Sequence, residues 1–103
     1  MISLAQRAGN VVSGEFATER AIQTMKARLV IVGTDSSDNT IGKFRNKCDF
    51  YNIPFYIYGT KESLAHAIGK EMRASLAITD EGMAKAVKDK LEEMNIHGKN
   101  DNT

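Results

Sequence analysis

The sequence contains little of what disulfide-bonded, membrane-spanning or metal-binding proteins require. Its 103 residues include one cysteine, one proline and two histidines. Cys48 cannot form an internal disulfide and has no Cys or His neighbour at metal-ligand spacing, as is typical of proteins in a reducing compartment. No apolar run approaches the roughly 20 residues of a membrane span, and the first seven residues lack the pattern of a secretory signal. We therefore expect a cytoplasmic protein with no membrane partner.

Catalytic and nucleotide-binding signatures are also missing. None of the three Gly-Lys pairs is preceded, five residues before its glycine, by the further glycine that a P-loop needs, and there is no GxGxxG run. His66 reads as an ordinary surface or half-buried histidine, and His97 falls in a polar tail. Cys48 lies on the apolar stripe of a predicted helix, where cysteine usually acts as a small hydrophobe. The sequence therefore predicts no enzymatic activity, no catalytic residue, no cofactor and no metal site.

The charge of the chain is small and unevenly distributed. The formal net charge is +1, and the apolar and charged fractions of 42% and 26% are those of an ordinary globular domain. Residues 1–79 carry ten Lys and Arg against seven Asp and Glu, a local charge of +3, whereas residues 80–103 carry four against six, a local charge of −2. A nucleic-acid-binding face would therefore be local, with the acidic C-terminal helix pointing elsewhere.

Helices and strands alternate along the sequence, which predicts a single domain over residues 1–95 and a polar tail at 96–103. Strands are predicted at residues 11–13, 29–32, 55–58 and 76–79. Helices are predicted at residues 2–8, 15–26, 41–51, 60–69 and 83–94, with residues 34–40 as a polar loop. The fold class is therefore α/β, a three-layer α/β/α sandwich with a four-stranded mixed sheet. The β-branched run at 29–32 is expected to be the central strand, and the strand order stays open.

The first candidate site is the turn at Gly14, where a strand runs directly into a helix. Such a junction exposes the first backbone amides of the helix together with its positive dipole end, which suits a phosphate group. The alternative is that glycine serves here only for its permissive backbone.

The second candidate site is the loop at 69–75, which combines two cations, Lys70 and Arg73, with the apolar Met72. The cations could contact phosphates, and Met72 could lie against an unstacked base. The alternative is an ordinary solvated connection between two elements.

The third candidate site is the outer side of the third helix. Four residues lie together there, opposite the apolar stripe: Asn39, Lys43, Asn46 and Lys47. This side is predicted to be cationic with little compensating acid, although a solvated helix face is the alternative interpretation.

Several segments recur, in the same order and spacing, in one known family. They are Leu-Ala-Gln-Arg-Ala-Gly at 4–9, Val-Val-Ser-Gly-Glu at 11–15, Lys-Ala-Arg-Leu-Val-Ile-Val-Gly-Thr-Asp at 26–35, Lys-Cys-Asp-Phe-Tyr-Asn-Ile-Pro at 47–54, Leu at 64, Ala-Ile-Gly-Lys at 67–70 and Leu-Ala-Ile-Thr-Asp at 76–80. Through them the chain from residue 4 to 87 resembles the kink-turn-binding ribosomal protein family, and especially its small bacterial YlxQ-like branch. The resemblance implies the same α/β/α sandwich.

The resemblance also implies where structured RNA, expected to be ribosomal, would sit. It brings together the Gly14 turn, the loop that begins at Thr34-Asp35 and the loop at 70–75. With the third helix included, the expected RNA-binding residues are Gly14, Glu15, Phe16, Arg20, Asp35, Lys43, Lys70, Met72, Arg73 and Ala74.

One part of the family's pattern is changed. Strong kink-turn binders of the family carry G-x-N-E-x-x-K, whose amide and carboxylate groups recognise sheared G·A pairs. Here Gly14 is present and Arg20 stands at the lysine position, but Phe16 and Ala17 occupy the Asn and Glu positions. Two hypotheses follow: an RNA-binding module in which Phe16 stacks on a base, or a protein-contact module of a ribosomal or transcription assembly that uses Phe16 and the acidic last helix.

Overall fold

A computed structural model describes residues 2–96 of the chain, except for the side chains of Ser3 and Leu4. Five helices and four strands occur in this part of the chain. Their order is α1 (Ile2–Arg7), β1 (Val11–Ser13), α2 (Glu15–Gln23), β2 (Leu29–Val32), α3 (Asp38–Tyr51), β3 (Phe55–Ile57), α4 (Lys61–Ala67), β4 (Ser75–Ile78) and α5 (Glu81–Glu93).

The four strands form one mixed sheet in the order β1-β4-β2-β3. β4 is antiparallel to both of its neighbours, pairing Ser13 with Leu76 on one side and Val32 with Ser75 on the other, while β2 and β3 run parallel. The predicted α/β class with a four-stranded mixed sheet is confirmed, and β2 lies in the interior of the sheet as expected.

Alternation along β2 divides the core into two layers, because successive side chains of a strand point to opposite faces. Leu29 and Ile31 face α4 and α5, whereas Val30 and Val32 face α2 and α3. All four are fully buried, which explains why the run is apolar without interruption. The largest helix residues packed on the two faces are Leu64 and Leu91 on one side and Ile22 and Phe44 on the other. Helices therefore cover both faces, in the three layers that the sequence predicts.

Polar side chains cap three of the helices. The Ser37 side chain accepts a hydrogen bond from the Thr40 amide at the start of α3, and the Asp80 side chain accepts one from the Met83 amide at the start of α5. Thr60 starts α4 with a reciprocal capping box. These caps fix where each helix begins, close to the end of the preceding strand.

Some predicted boundaries were wrong. α2 ends at Gln23 rather than at residue 26, because Met25 adopts a left-handed backbone with φ 63° and is 56% exposed. α3 begins at Asp38, inside the predicted polar loop, because Ser37 supplies its cap. α1 ends at Arg7, β3 ends at Ile57, and β4 begins one residue earlier than predicted.

The C-terminal end of the described chain is packed more closely than expected. Asn95 takes a left-handed backbone after α5, and Ile96, the first residue of the predicted polar tail, packs half-buried against the α4 and α5 core layer. The rest of the predicted tail, with His97, lies outside the described residues. Within residues 2–96 no helix combines the length and the apolar character needed to cross a bilayer.

Candidate functional site

The three predicted binding segments meet at one edge of the sheet. Since β4 runs antiparallel to β1 and β2, its first residue lies beside the last residues of both neighbours. The Gly14 amide donates to the Ser75 carbonyl at 2.9 Å, and the Gly33 amide donates to the Ala74 carbonyl, also at 2.9 Å. The turn after β1, the loop after β2 and the loop before β4 are therefore bonded into a single surface.

Gly14 forms the turn into α2 with a backbone that other residues rarely adopt. Its φ of 90° and ψ of 158° lie in a region that is almost restricted to glycine. Its carbonyl accepts from the Thr18 amide at 3.0 Å, but it provides no side-chain cap. The first amides of α2 are thus left without a side-chain acceptor from the cap residue, at the positive end of the helix dipole.

The loop after β2 approaches the start of α4 closely. A Cβ at Gly33 would lie 3.1 Å from the Lys61 nitrogen, so that only glycine fits without movement. The Asp35 carboxylate accepts from the Lys61 amide at 2.9 Å, and the Thr34 amide donates to the Gly59 carbonyl at 2.7 Å. In this structure Asp35, a predicted RNA-binding residue, therefore joins this loop to the first turn of α4.

Arg73 extends from the loop before β4 across Gly14. Its Cδ and Nε lie 3.8 and 3.9 Å from where a Cβ of Gly14 would stand. Nε donates to the Ser13 hydroxyl at 3.3 Å, while Nη1 donates to the carbonyls of Met72, at 3.1 Å, and of Glu71. The guanidinium is therefore held in place by its own loop and β1, next to the uncapped start of α2.

The other residues of this loop differ in what they expose. Lys70 is exposed, and Met72 exposes 59% of its surface. Ala74 is half-buried, and its carbonyl accepts from the Gly33 amide and from the Ser36 hydroxyl at 3.4 Å. Lys70 and Met72 thus present side chains to solvent, whereas Ala74 contributes through its backbone.

Phe16, Ala17 and Arg20 lie on one side of α2 and line the same groove. Phe16 is 77% exposed and therefore contributes little to the core, although it is a large apolar side chain. Arg20 is exposed one turn further along the helix. The residues at the Asn and Glu positions of the G-x-N-E-x-x-K pattern, Phe16 and Ala17, thus present an aromatic ring and a methyl group.

The predicted surplus of positive charge on α3 was wrong. Lys43 lies 2.9 Å from the Glu15 carboxylate and 3.0 Å from that of Glu19, and Lys47 lies 3.3 Å from Glu19. Hydrogen bonding to Glu15 raises the pKa of Lys43, and hydrogen bonding from Lys43 lowers the pKa of Glu19. The compensating acid comes from α2, and two predicted RNA-binding residues, Glu15 and Lys43, pair with each other.

Cys48 and His66 lie in the kinds of environment that the sequence predicts for them. Cys48 is fully buried in the α2 and α3 core layer, and burial raises the pKa of its thiol to about 12. His66 is exposed on α4. Over residues 2–96 there is no group of three or more His, Cys, Asp and Glu side chains arranged to hold a metal ion.

Three residues that shape this edge were not identified from the sequence. Ser13 binds the Arg73 guanidinium, and the buried hydroxyls of Thr18 and Ser75 lie 3.3 Å apart behind the Gly14 turn. Only Ser13 could have been noticed in the sequence, because it is a polar residue at the end of an apolar run. The others required knowledge that β4 lies next to β1 and α2.

The sequence of the chain is similar to those of known proteins. The chain is similar to RNA-binding protein YlxQ of Bacillus subtilis (strain 168), with 39% identity over 84 residues, which cover 82% of this chain and 84% of that protein. It is also similar to RNA-binding protein YlxQ of Enterococcus faecium, with 36% identity over 92 residues, 89% of this chain and 88% of that protein.

Two solved structures resemble the fold. A protein of unknown function from Bacillus halodurans C has a TM-score of 0.85 and 31% identity, over 88% of this chain and 92% of that one. The Giardia lamblia 15.5kD RNA binding protein has a TM-score of 0.76 and 16% identity, over 90% of this chain and 79% of that one. At this identity the similarity supports only the assignment of the fold. The profile of the Ribosomal protein L7Ae/L30e/S12e/Gadd45 family matches residues 1–88. The chain therefore belongs to this family.

Proposed function

We propose that this chain is a non-catalytic RNA-binding protein of the cytoplasm, which recognises structured, kink-turn-like RNA associated with the ribosome. The observation that carries the proposal is the position of Arg73 beside the uncapped start of α2 at Gly14. A phosphate there would meet backbone amides, the positive helix end and a fixed guanidinium. The naming of two relatives at 36–39% identity as RNA-binding proteins supports the same activity.

Phosphate contact would involve only a few cations. Arg20 and Lys70 are exposed, while Lys43 is already paired with two carboxylates. Because each neutralised phosphate contributes to the salt dependence of binding, a small set of cations gives moderate affinity and a shallow salt slope. The proposed role of Lys43 is therefore indirect: it neutralises Glu15 and Glu19 next to the Gly14 turn.

Base recognition would differ from that of the strong kink-turn binders that the sequence resembles. Phe16 and Ala17 cannot hydrogen-bond the edges of sheared G·A pairs, since neither side chain carries a polar atom. An exposed aromatic ring and the exposed Met72 can instead lie against unstacked bases. We therefore expect recognition to depend on the shape of the phosphate backbone and on stacking.

The direct test is a gel-shift titration with a kink-turn RNA and with a control RNA whose G·A pairs are replaced by Watson–Crick pairs, each at two salt concentrations. Tighter binding to the kinked RNA is the expected result. Equal affinity for the two RNAs would remove kink-turn recognition from the proposal. Failure to bind either RNA, and ribosomal RNA as well, would reject RNA binding.

Variants test the assigned phosphate contacts. Arg20→Ala and Arg73→Ala should each weaken binding and reduce the slope of log K against log salt by about one. Lys85→Ala is a matched control, since Lys85 is an exposed cation on α5 that is paired with Asp89 at 3.1 Å. If the control changes affinity as much as Arg73→Ala does, binding is nonspecific attraction to positive charge.

The exposure of Phe16 also favours a second candidate function, a protein-contact module of a ribosomal or transcription assembly. Phe16 is 77% exposed, and aromatic side chains are enriched at protein–protein interfaces. The acidic residues of α5 would form the other contact, although Asp89 and Glu93 are paired there with Lys85 and Lys90. Absence of RNA binding by the wild-type chain, shown to be folded by its cooperative thermal unfolding, would favour this alternative.

A further inference from the structure

A groove of about 300 Å³ runs along α2 beside the edge strand β1. It begins at Phe16, in the first turn of α2, and reaches residues that follow the last turn of the helix. Besides Phe16, its lining includes Thr24, Lys26 and Thr79. Eight residues of helix extend for about 12 Å. The groove therefore leads from the Gly14 turn, at one end of the strands, toward the other end of the strands.

The lining of this groove is apolar at the bottom and cationic at the side. Val12, Ala17 and Ala21 supply small apolar surfaces, and the exposed Phe16 ring forms one end. The two charged residues that line it are Arg20 and Lys26, both exposed, and no acidic residue is among its lining residues. Elsewhere on α2, Glu15 and Glu19 are directed to the lysines of α3.

We propose that this groove binds an unpaired nucleotide of the RNA, with its base stacked on Phe16 and its phosphate between Arg20 and Lys26. The inference rests on the proposed RNA binding and extends the site beyond the Gly14 edge. A flat aromatic ring accepts any base, because every base has a π face, and neighbouring cations hold the phosphate. The positive charge of the lining favours this occupant over an apolar segment of another protein, which would leave Arg20 and Lys26 without a counter-charge.

The proposed site assigns a binding role to Phe16, which stands at the Asn position of the G-x-N-E-x-x-K pattern. An asparagine there would read the edge of a paired base, whereas a phenylalanine reads the face of an unpaired one. The change therefore moves recognition from within the RNA helix to a strand that leaves it along α2. Lys26 lies at the far end of that path, where neither the Gly14 turn nor the loop at 70–74 reaches.

The test uses single-stranded hexa-adenylate as the probe and amide chemical shifts of the full chain as the readout. We expect shifts at Val12, Ala17, Thr24 and Thr79. Phe16→Leu should weaken the binding of hexa-adenylate at least fivefold, since it removes the stacking surface but keeps an apolar side chain, whereas Phe16→Tyr should retain it. Lys26→Ala should weaken it about threefold or more, and Lys85→Ala should leave it unchanged. Melting temperatures of the variants establish that each one is folded.

The outcomes separate this inference from the proposed function. Shifts confined to Gly14 and residues 70–74, or equal affinity of wild type and Phe16→Leu, would overturn the groove site even where the kink-turn RNA binds. Hexa-adenylate binding in the groove without any binding of the kink-turn RNA would support the groove and reject the proposed structured target. Binding of neither RNA would reject both. Shifts that disappear in both Phe16→Leu and Lys26→Ala would support the assignment.

Discussion

The hydroxyl groups of Thr18 and Ser75 lie 3.3 Å apart in the core, and both residues are fully buried. They join the first turns of α2 to the start of β4. The Gly14 turn is attached to the same strand residue, since the Gly14 amide donates to the Ser75 carbonyl. Two adjacent hydrogen bonds therefore hold the start of α2 against the sheet, and they set the position of the amides proposed to bind phosphate.

Replacing Thr18 by valine should destabilise the domain. The variant keeps the shape of the side chain but leaves the Ser75 hydroxyl buried without its acceptor, which costs about 1–3 kcal/mol. Urea denaturation should show a lower midpoint with an unchanged slope. Thr18→Ser is the control, because it keeps the hydroxyl, and it should lose less stability than Thr18→Val. Equal losses in the two variants would indicate that packing, rather than the hydrogen bond, matters at this position.

Two glycine replacements should change stability in opposite directions. Gly14→Ala meets no steric obstacle, since the nearest atom would lie 3.8 Å from the new Cβ, but φ of 90° is costly for alanine, by about 1–3 kcal/mol. Gly42→Ala, within α3 and with nothing within 4 Å of the added Cβ, should raise stability by about 0.5–1 kcal/mol. Thermal unfolding measures both. Only Gly14→Ala should also weaken RNA binding, and a normal RNA affinity for that variant would remove the turn from the binding site.

Glu15→Gln should strengthen RNA binding about two- to fivefold while slightly lowering stability. The carboxylate lies in the first turn of α2, where it would repel a phosphate, and its removal releases Lys43 from one of its two partners. Its negative charge also interacts favourably with the positive end of the helix dipole, so losing it lowers the free energy of unfolding by about 0.3–1 kcal/mol. Filter binding and urea denaturation give the two quantities, with Glu93→Gln on α5 as the control. Weaker RNA binding by Glu15→Gln would instead support direct contact between Glu15 and RNA, as the sequence predicts.

Cys48 should be unreactive in the folded protein. With its pKa raised from 9.0 to about 12 by burial, the thiolate fraction at pH 8 is about a thousandfold smaller than for an ordinary cysteine. Iodoacetamide should therefore label the chain only after unfolding. Because the folded chain retains this proton after the unfolded chain has lost it, stability should fall as pH rises from about 9 to 12. Cys48→Ala should show a smaller fall over the same range, and an identical fall would attribute it to other groups.

The strands and the helical stripes could be predicted from the sequence because they depend on local patterns. The run Leu29–Val32 is apolar at every position, which is typical of a strand covered on both faces, and it is buried at every position. The helix ends were harder to predict. Met25 continues an apolar stripe, yet its backbone is left-handed and it lies in the turn between α2 and β2.

The charge pairing of the candidate site could not be predicted, because its partners are distant in the sequence. Lys43 and Glu15 are 28 residues apart and meet only when α2 and α3 pack side by side on one face of the sheet. The same applies to Arg73, which reaches Ser13 across 60 residues. Composition indicated a small positive charge, and the structure determines which cations are already neutralised.

The position of β4 between β1 and β2 has a consequence for how the molecule is made. β4, the last strand in the sequence, pairs with both β1 and β2. β1 therefore has no partner in the sheet until residues 75–78 have been synthesised. Pairing across such a separation is slow, because a long loop must close first. The proposed binding surface, which consists of segments bonded to Ala74 and Ser75, should therefore be completed late in folding. A chain interrupted before β4 would retain Gly14 and Phe16 but would lack the strand that positions them.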